Sequence, residues 1–333
     1  MGVDPLLVPL LAALNAMPSQ AGVPIEERRR RAAEAREKGS PYQDLMETPP
    51  EVADIHEERV PVGDGSETIG VRIYRSQGAL DHGAPGALVV YHGGGWIGGS
   101  IGDSDSRSRT IAAETDVVVV NVDYRLAPEH QFPTPVEDAY DALTWTAAQA
   151  ERLGFDARSL GVEGESAGGN LAGAVALMAR DRGGPTLSLQ ILEIPALDLT
   201  LASPSVEKYG RGHILDKDEL HWCVGVYLGE HDARDPRASP IWADSVAGLP
   251  PAVILTSECD PICDDGRRYA ERLAGAEVPV VFKEFAGHVH GSHSLTAFLP
   301  SARDWRSVVV ESVREHLVSG GQRPHAALAT EAN

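Results

Sequence analysis

LGVEGESAGGNLA, residues 160–172, is the stretch from which the rest of the chain can be read. Leu160 to Val162 is a short apolar run, and Gly164-Glu165-Ser166-Ala167-Gly168 fits the pattern G-x-S-x-G. The residues from Leu171 to Arg180 are small and apolar, which suits a helix packed against a sheet. A strand, a sharp turn and a helix in this order lift a serine hydroxyl above the sheet, and small neighbours let the backbone approach a substrate. The helix N-terminus beneath such a serine favours developing negative charge. Five residues of this kind also arise by chance; the flanking strand and helix give the match its weight.

Working outward, short apolar runs recur at Ala87 to Tyr91, Val117 to Val122, Leu187 to Ile194, Ala252 to Thr256 and Val278 to Phe285, separated by helix-length segments. Runs that are apolar on both faces and alternate with helices imply a mostly parallel sheet covered on both sides, hence an α/β fold. One such helix spans Pro135 to Gln149, with Val136, Ala139, Leu143 and Ala147 on one stripe. Residues 55–74 form two strand-like runs around Gly63-Asp64-Gly65, which predicts an antiparallel hairpin at a sheet edge. The interval 198–250 is too long for a simple crossover. Its capping signature at Asp216 to Glu219 and its aromatic helix Leu220 to Leu228 predict a helical insertion near the site, at about residues 199–240. Residues 1–50 read as separate helices: an apolar one ending near Pro18, and a charged one over Ile25 to Lys38. There the run Arg28 to Arg31, flanked by Glu26, Glu27, Glu34 and Glu37, reads as a solvated face laced with ion pairs. The tail 319–333 is expected to be disordered.

Two further segments carry chemistry. His92-Gly93-Gly94-Gly95-Trp96 follows a buried strand, and three consecutive glycines leave backbone N–H groups unobstructed, as an oxyanion-binding loop requires. A phosphate loop is the competing reading, but no Gly-Lys-Ser or Gly-Lys-Thr follows. Asp260 and His290 lie beyond the ends of the strands at 252–256 and 278–285, on the same sheet edge as Ser166. Serine, acid and histidine in that chain order form a nucleophile, a general base and the carboxylate that orients it. At this stage His288 and His293 compete with His290, and Glu258, Asp264 and Asp265 compete with Asp260; the last two are expected to face solvent on the next helix.

Composition narrows the function classes. The 333 residues carry a formal net charge of −20, which argues against nucleic acid and anionic membranes as partners. Of 29 basic residues only Lys38, Lys208, Lys217 and Lys283 are lysines, a bias that looks like genomic base composition. Cys223, Cys259 and Cys263 are too few and too irregular for a disulfide framework or a zinc ribbon, so a cytoplasmic location is expected. The apolar run Leu6 to Leu14 follows Asp4 and lacks a convincing cleavage site, so it does not read as a secretion signal, and no stretch of about 20 apolar residues spans a membrane.

Taken together, the motifs HGGGW at 92–96, DYRLAPEHQFPTPVEDAYDALTW at 123–145, GESAGGNLA at 164–172 and CDPICDDG at 259–266 resemble the hormone-sensitive-lipase family of bacterial carboxylesterases, over roughly residues 50–316. The resemblance implies an α/β-hydrolase fold, with a central, mostly parallel eight-stranded sheet and a helical cap to which residues 1–50 and the insertion contribute. It selects Asp260 and His290 as the partners of Ser166, and it places the oxyanion donors on the N–H groups of Gly94, Gly95 and Ala167, with His92 buttressing the loop. A homodimer through the last strand and helix is expected by the same analogy. Three positions depart from the family pattern: Glu165 stands for the usual aspartate, Ile262-Cys263 for Leu-Arg, and Ser292 for an aromatic residue. None removes a catalytic atom; they bear on pocket shape.

The expected activity is hydrolysis of short- to medium-chain carboxylic esters of small molecules through an acyl-serine intermediate, with no metal and no organic cofactor. Trp96, Trp222 and Tyr227 are candidate pocket walls, with packing in the core as the equal alternative. Other readings are an amidase or lactonase using the same triad, or a catalytically silent binding protein on the same fold.

Overall fold

β-Branched runs that are buried on both faces need partners on both edges and cover on both sides, and the chain supplies both. A computed structural model describes residues 2–17, 22–38 and 43–319. Its strands are β1 Asp54–Val62, β2 Glu67–Arg75, β3 Ala87–Tyr91, β4 Val118–Asp123, β5 Leu160–Glu165, β6 Leu189–Glu193, β7 Ala252–Cys259 and β8 Val280–Val289. Its helices are α1 Val8–Asn15, α2 Ile25–Lys38, α3 Gln77–His82, α4 Asp105–Thr115, α5 Thr134–Ala148, α6 Ala150–Leu153, α7 Ala167–Asp181, α8 Pro204–Tyr209, α9 Lys217–Leu228, α10 Cys263–Gly275 and α11 Pro300–Val313.

The eight strands form one sheet in the order β1-β2-β4-β3-β5-β6-β7-β8. The hairpin β1–β2 is antiparallel, β2 also runs antiparallel to β4, and the rest is parallel. Helices α5, α7 and α10 cover one face, and α4 and α11 cover the other. Every residue of α7 from Ala167 to Ala179 is buried. Its glycines and alanines bring the helix close against β5, β6 and β3.

Strand order reverses around β3, which lies between β4 and β5. The crevice beyond the carboxyl ends at such a reversal is where open α/β sheets bind ligands. Here it receives the loop after β3 and the turn after β5, which carry the two glycine motifs. The segment between β6 and β7 holds α8 and α9. Strand β8 runs four residues beyond its expected end, to Val289, and so delivers His290 directly from the sheet edge. The expected end of α1 near Pro18, and the tail from residue 320 onward, lie outside the described residues.

The reading of Arg28 to Arg31 as a solvated face needs correction at two positions. Arg30 and Arg31 do pair within α2, with Glu27 and Glu34. Arg28, however, pairs with Glu219 and lies over the Trp222 ring at 4.2 Å. Arg29 donates to the carbonyls of Ile97 and Ala127, both at 2.7 Å, and pairs with Glu129. Half of the basic run therefore docks α2 onto α9 and onto the loops that follow β3 and β4.

Candidate active site

The turn after β5 is built by close backbone approach. Ser166 has φ 54° and ψ −115°, a conformation side chains seldom adopt, and it caps the N-terminus of α7. Its N–H donates to the Glu193 carbonyl at 2.8 Å, and its carbonyl accepts from Asn170 N–H at 2.9 Å. A Cβ at Gly168 would stand 2.0 Å from the Tyr91 carbonyl oxygen, so α7 reaches β3 only with glycine there.

The loop after β3 is equally tight. Gly94 has φ 120°, and a Cβ on it would meet the Gly98 carbonyl oxygen at 2.3 Å. His92 is buried, places Nδ1 2.7 Å from the Gly93 carbonyl and stacks on Tyr124 at 4.3 Å. Burial depresses its pKa, which suits a neutral buttress rather than a titrating base. Among the described residues no protein acceptor takes the N–H of Gly94, Gly95 or Ala167. Donors left open at a helix N-terminus and a glycine loop are what a developing oxyanion needs.

Asp260 and His290 arrive from β7 and β8. Asp260 is fully buried; its Oδ1 accepts the Ile262 N–H at 3.0 Å, and its Oδ2 lies 2.7 Å from His290 Nδ1. His290 Nε2 lies 3.0 Å from Ser166 Oγ. Burial alone would lower the imidazole's pKa, but the Asp260 charge and hydrogen bond, helped by Glu165, carry it above the ordinary histidine value.

The rival residues have other tasks. His288 sits between Ser301 Oγ, 2.8 Å from Nε2, and Ser292 Oγ, 2.9 Å from Nδ1, and burial pushes it down to about 4. Glu258 accepts the Gly287 N–H at 2.8 Å. Asp264 holds Ser205 N–H and Arg267. Asp265 was expected to face solvent, and this is a correction: it is buried, accepting the N–H groups of Leu197 and Asp198 at 3.1 and 3.0 Å and the Ser203 hydroxyl at 2.8 Å. The segment after β6 needs that acceptor because its own backbone has left the sheet.

The aromatic candidates also need sorting. Trp96 and Tyr227 stack at 4.5 Å and are buried in the main core, so packing is the role they are built into. Trp222 is partly buried under Arg28. None of the three lines the cavity of about 730 Å³ that lies against His290. That cavity is bounded near Leu14, Met46 and Ile214, and its inner wall carries His290, Glu165 and Arg107.

Sequence reasoning missed Arg107 and the carboxylates of Glu163 and Glu193 that it gathers. Arg107 of α4 contacts Glu163 at 2.6 Å, Glu165 at 3.0 Å, and Glu193. Trp305 Nε1 donates to Glu193 as well. Burial raises Glu165, but Arg107 and His293 outweigh it and hold the carboxyl well below its usual range. Burial raises Glu193 to about 8 in spite of Arg107. A signal was available: Glu163 and Glu193 interrupt otherwise apolar buried strands, and a carboxylate there needs a partner. Among the described residues no group of three His, Cys, Asp or Glu side chains could hold a metal ion, and no helix is long and apolar enough to cross a membrane.

Comparison with known proteins bears on this geometry. A family model described as alpha/beta hydrolase fold matches residues 88–294. Carboxylesterase NlhH of Mycobacterium tuberculosis (strain ATCC 25618 / H37Rv) is 39% identical over 266 residues, covering 78% of this chain and 82% of that protein. Ethyl acetate hydrolase of Pseudomonas putida is 37% identical over 252 residues, covering 75% and 79%. Among solved structures, a hyperthermophilic esterase from the archaeon Pyrobaculum calidifontis superposes with a TM-score of 0.85 at 35% identity, covering 95% of this chain and 99% of that one.

Proposed function

This chain belongs to the hormone-sensitive-lipase-like family of the alpha/beta hydrolase fold, and on that premise we propose that Ser166, His290 and Asp260 are its catalytic triad. It is a carboxylic-ester hydrolase. The observation that carries the assignment is the unbroken chain Ser166 Oγ to His290 Nε2 at 3.0 Å and His290 Nδ1 to Asp260 Oδ2 at 2.7 Å.

His290 takes the proton of Ser166 as Oγ attacks the ester carbonyl. The carbonyl oxygen becomes an oxyanion held by the N–H groups of Gly94, Gly95 and Ala167. Each such donor contributes about 3–4 kcal/mol to the transition state. Protonated His290 passes its proton to the leaving alcohol, and Asp260 stabilises the imidazolium meanwhile. Water, activated by His290, then cleaves the acyl-serine. Short- to medium-chain esters are the substrate class supported by a cavity of about 730 Å³. Helices α1 and α2 and the insertion form a cap over it; the contacts of Arg28 with Glu219 and Trp222 favour this division. Three buried, unpaired cysteines support a reducing cytoplasm, and a homodimer through β8 and α11 is the arrangement to look for.

The test is hydrolysis of p-nitrophenyl acetate, butyrate, octanoate and palmitate by wild type, Ser166→Ala, His290→Ala and His288→Ala. Turnover of the shorter esters, lost with Ser166→Ala and His290→Ala but kept with His288→Ala, is the expected result. Inactivity of folded wild type toward all four would return a binding protein, an amidase or a lactonase to the front.

A further inference from the structure

We propose that Arg107, Glu165 and His293 form a positioning clamp that holds the nucleophile turn and the base loop in register. The inference rests on the assignment of Ser166 and His290. Glu165 directly precedes Ser166, and His293 stands three residues after His290, in the short 3-10 turn Ser292–Ser294. These two segments come from β5 and β8, which are not neighbours in the sheet. Arg107 Nη2 joins them, 3.0 Å from Glu165 Oε2 and 2.6 Å from His293 Nε2. One guanidinium nitrogen carries two N–H groups and can reach both partners. His293 Nε2 also lies 3.0 Å from Glu165 Oε2, which closes the three groups into one cluster.

The clamp is braced from behind. The other terminal nitrogen of Arg107 contacts Glu163 and Glu193, on the adjacent strands β5 and β6. Trp305 of α11 donates to Glu193 and stacks on the His293 ring at 5.0 Å. A tie between helices and sheet alone would be made at lower cost by apolar side chains, because charges withdrawn from water are expensive even when paired. Placing a guanidinium and its carboxylates against both reacting segments gives them a fixed separation that apolar packing defines less sharply.

Electrostatics at His290 follow from the same geometry. The charged and titratable groups around it are Asp260 from β7 and Glu165 from the end of β5, with Arg107 from α4 and His293 of its own loop behind Glu165. Glu165 adds to the support Asp260 gives the imidazolium.

The test compares His293→Phe, His293→Gln and Glu165→Gln with wild type, using p-nitrophenyl butyrate. Active sites are counted by the burst of p-nitrophenol released from diethyl p-nitrophenyl phosphate, and folding is checked by thermal melts. His293→Phe is expected to lose roughly ten- to a hundredfold in kcat with KM unchanged, the size of effect a small misplacement of reacting groups produces. His293→Gln, whose amide can accept from Arg107 and donate to Glu165, should recover most of that loss. Glu165→Gln keeps the volume but removes a charge, so kcat should fall and the acid limb of kcat/KM should move to lower pH. Wild-type kcat per titrated site in both His293→Phe and Glu165→Gln overturns the clamp. So does a deficit fully explained by the unfolded fraction; where His293→Phe does not fold, Glu165→Gln alone decides. Ser166→Ala in parallel separates the two readings. If it is inactive while the clamp variants are normal, only the clamp falls; if it is active, the nucleophile assignment falls and takes the clamp with it.

Discussion

Asp260 gives His290 both an orientation and a charge to lean on. Its Oδ2 fixes the proton on Nδ1, leaving Nε2 free to accept from Ser166, and its negative charge keeps the imidazole pKa raised. Asp260→Asn should lower kcat about 10⁴-fold, because the amide can present an N–H and favour the wrong tautomer. The direction of the pH effect follows from the shift. As the proposed base, His290 works unprotonated, so kcat/KM is expected to be lost as pH falls through a pKa above the ordinary histidine value. Without the carboxylate, what activity survives should persist to lower pH, and a pH–rate profile of the two proteins reads this directly. Neighbouring histidines show why residue type alone could not choose among the three rings. His288 is spent between two serines and His293 is drawn to Arg107, although both lie within three residues of His290.

At the scale of elements, what holds the site is often a side chain that substitutes for missing backbone partners. Asp265, at the start of α10, gathers the N–H groups of Leu197 and Asp198 where the chain leaves β6. Asp265→Ala strands those buried donors, at about 1–3 kcal/mol for each group left without a partner. We expect a loss of about 2–5 kcal/mol in urea unfolding. An unchanged midpoint would show that water replaces the carboxylate without cost. The capping signature at Asp216 was legible in the sequence, and Asp216 does accept the Asp218 N–H at 3.0 Å. Glu219 was read as part of the same cap, but it faces Arg28 of α2 instead. A cap is a local feature and can be read locally; a pair separated by 191 residues cannot.

Over the whole molecule, a net charge of −20 surrounds a cavity on whose inner wall Glu165 is paired with Arg107. Such a field attracts cationic substrates and repels anionic ones, and salt screens it. For matched esters bearing a quaternary ammonium or a carboxylate far from the reacting carbonyl, kcat/KM should favour the cation at low ionic strength. The ratio should shrink as salt is raised toward about 0.5 M, where the Debye length is only a few ångströms. A salt-independent ratio would mean that local contacts, not the general field, set the preference.

The sequence by itself determined the parallel sheet, the serine turn, the glycine loop and the chain order of Ser166, Asp260 and His290. Each is written in a short window: apolar runs of strand length, glycines where backbones meet, and polar residues just past strand ends. Tertiary structure decided how the three histidine rings divide their partners, that Asp265 is buried, and that Trp96 and Tyr227 stack in the core. It also decided that Arg107 meets Glu163, 56 residues away, and Glu193, 86 residues away. The physical reason is the same in every case: a hydrogen bond or ion pair depends on distance and direction between side chains, and those are fixed only when separate elements pack against one another.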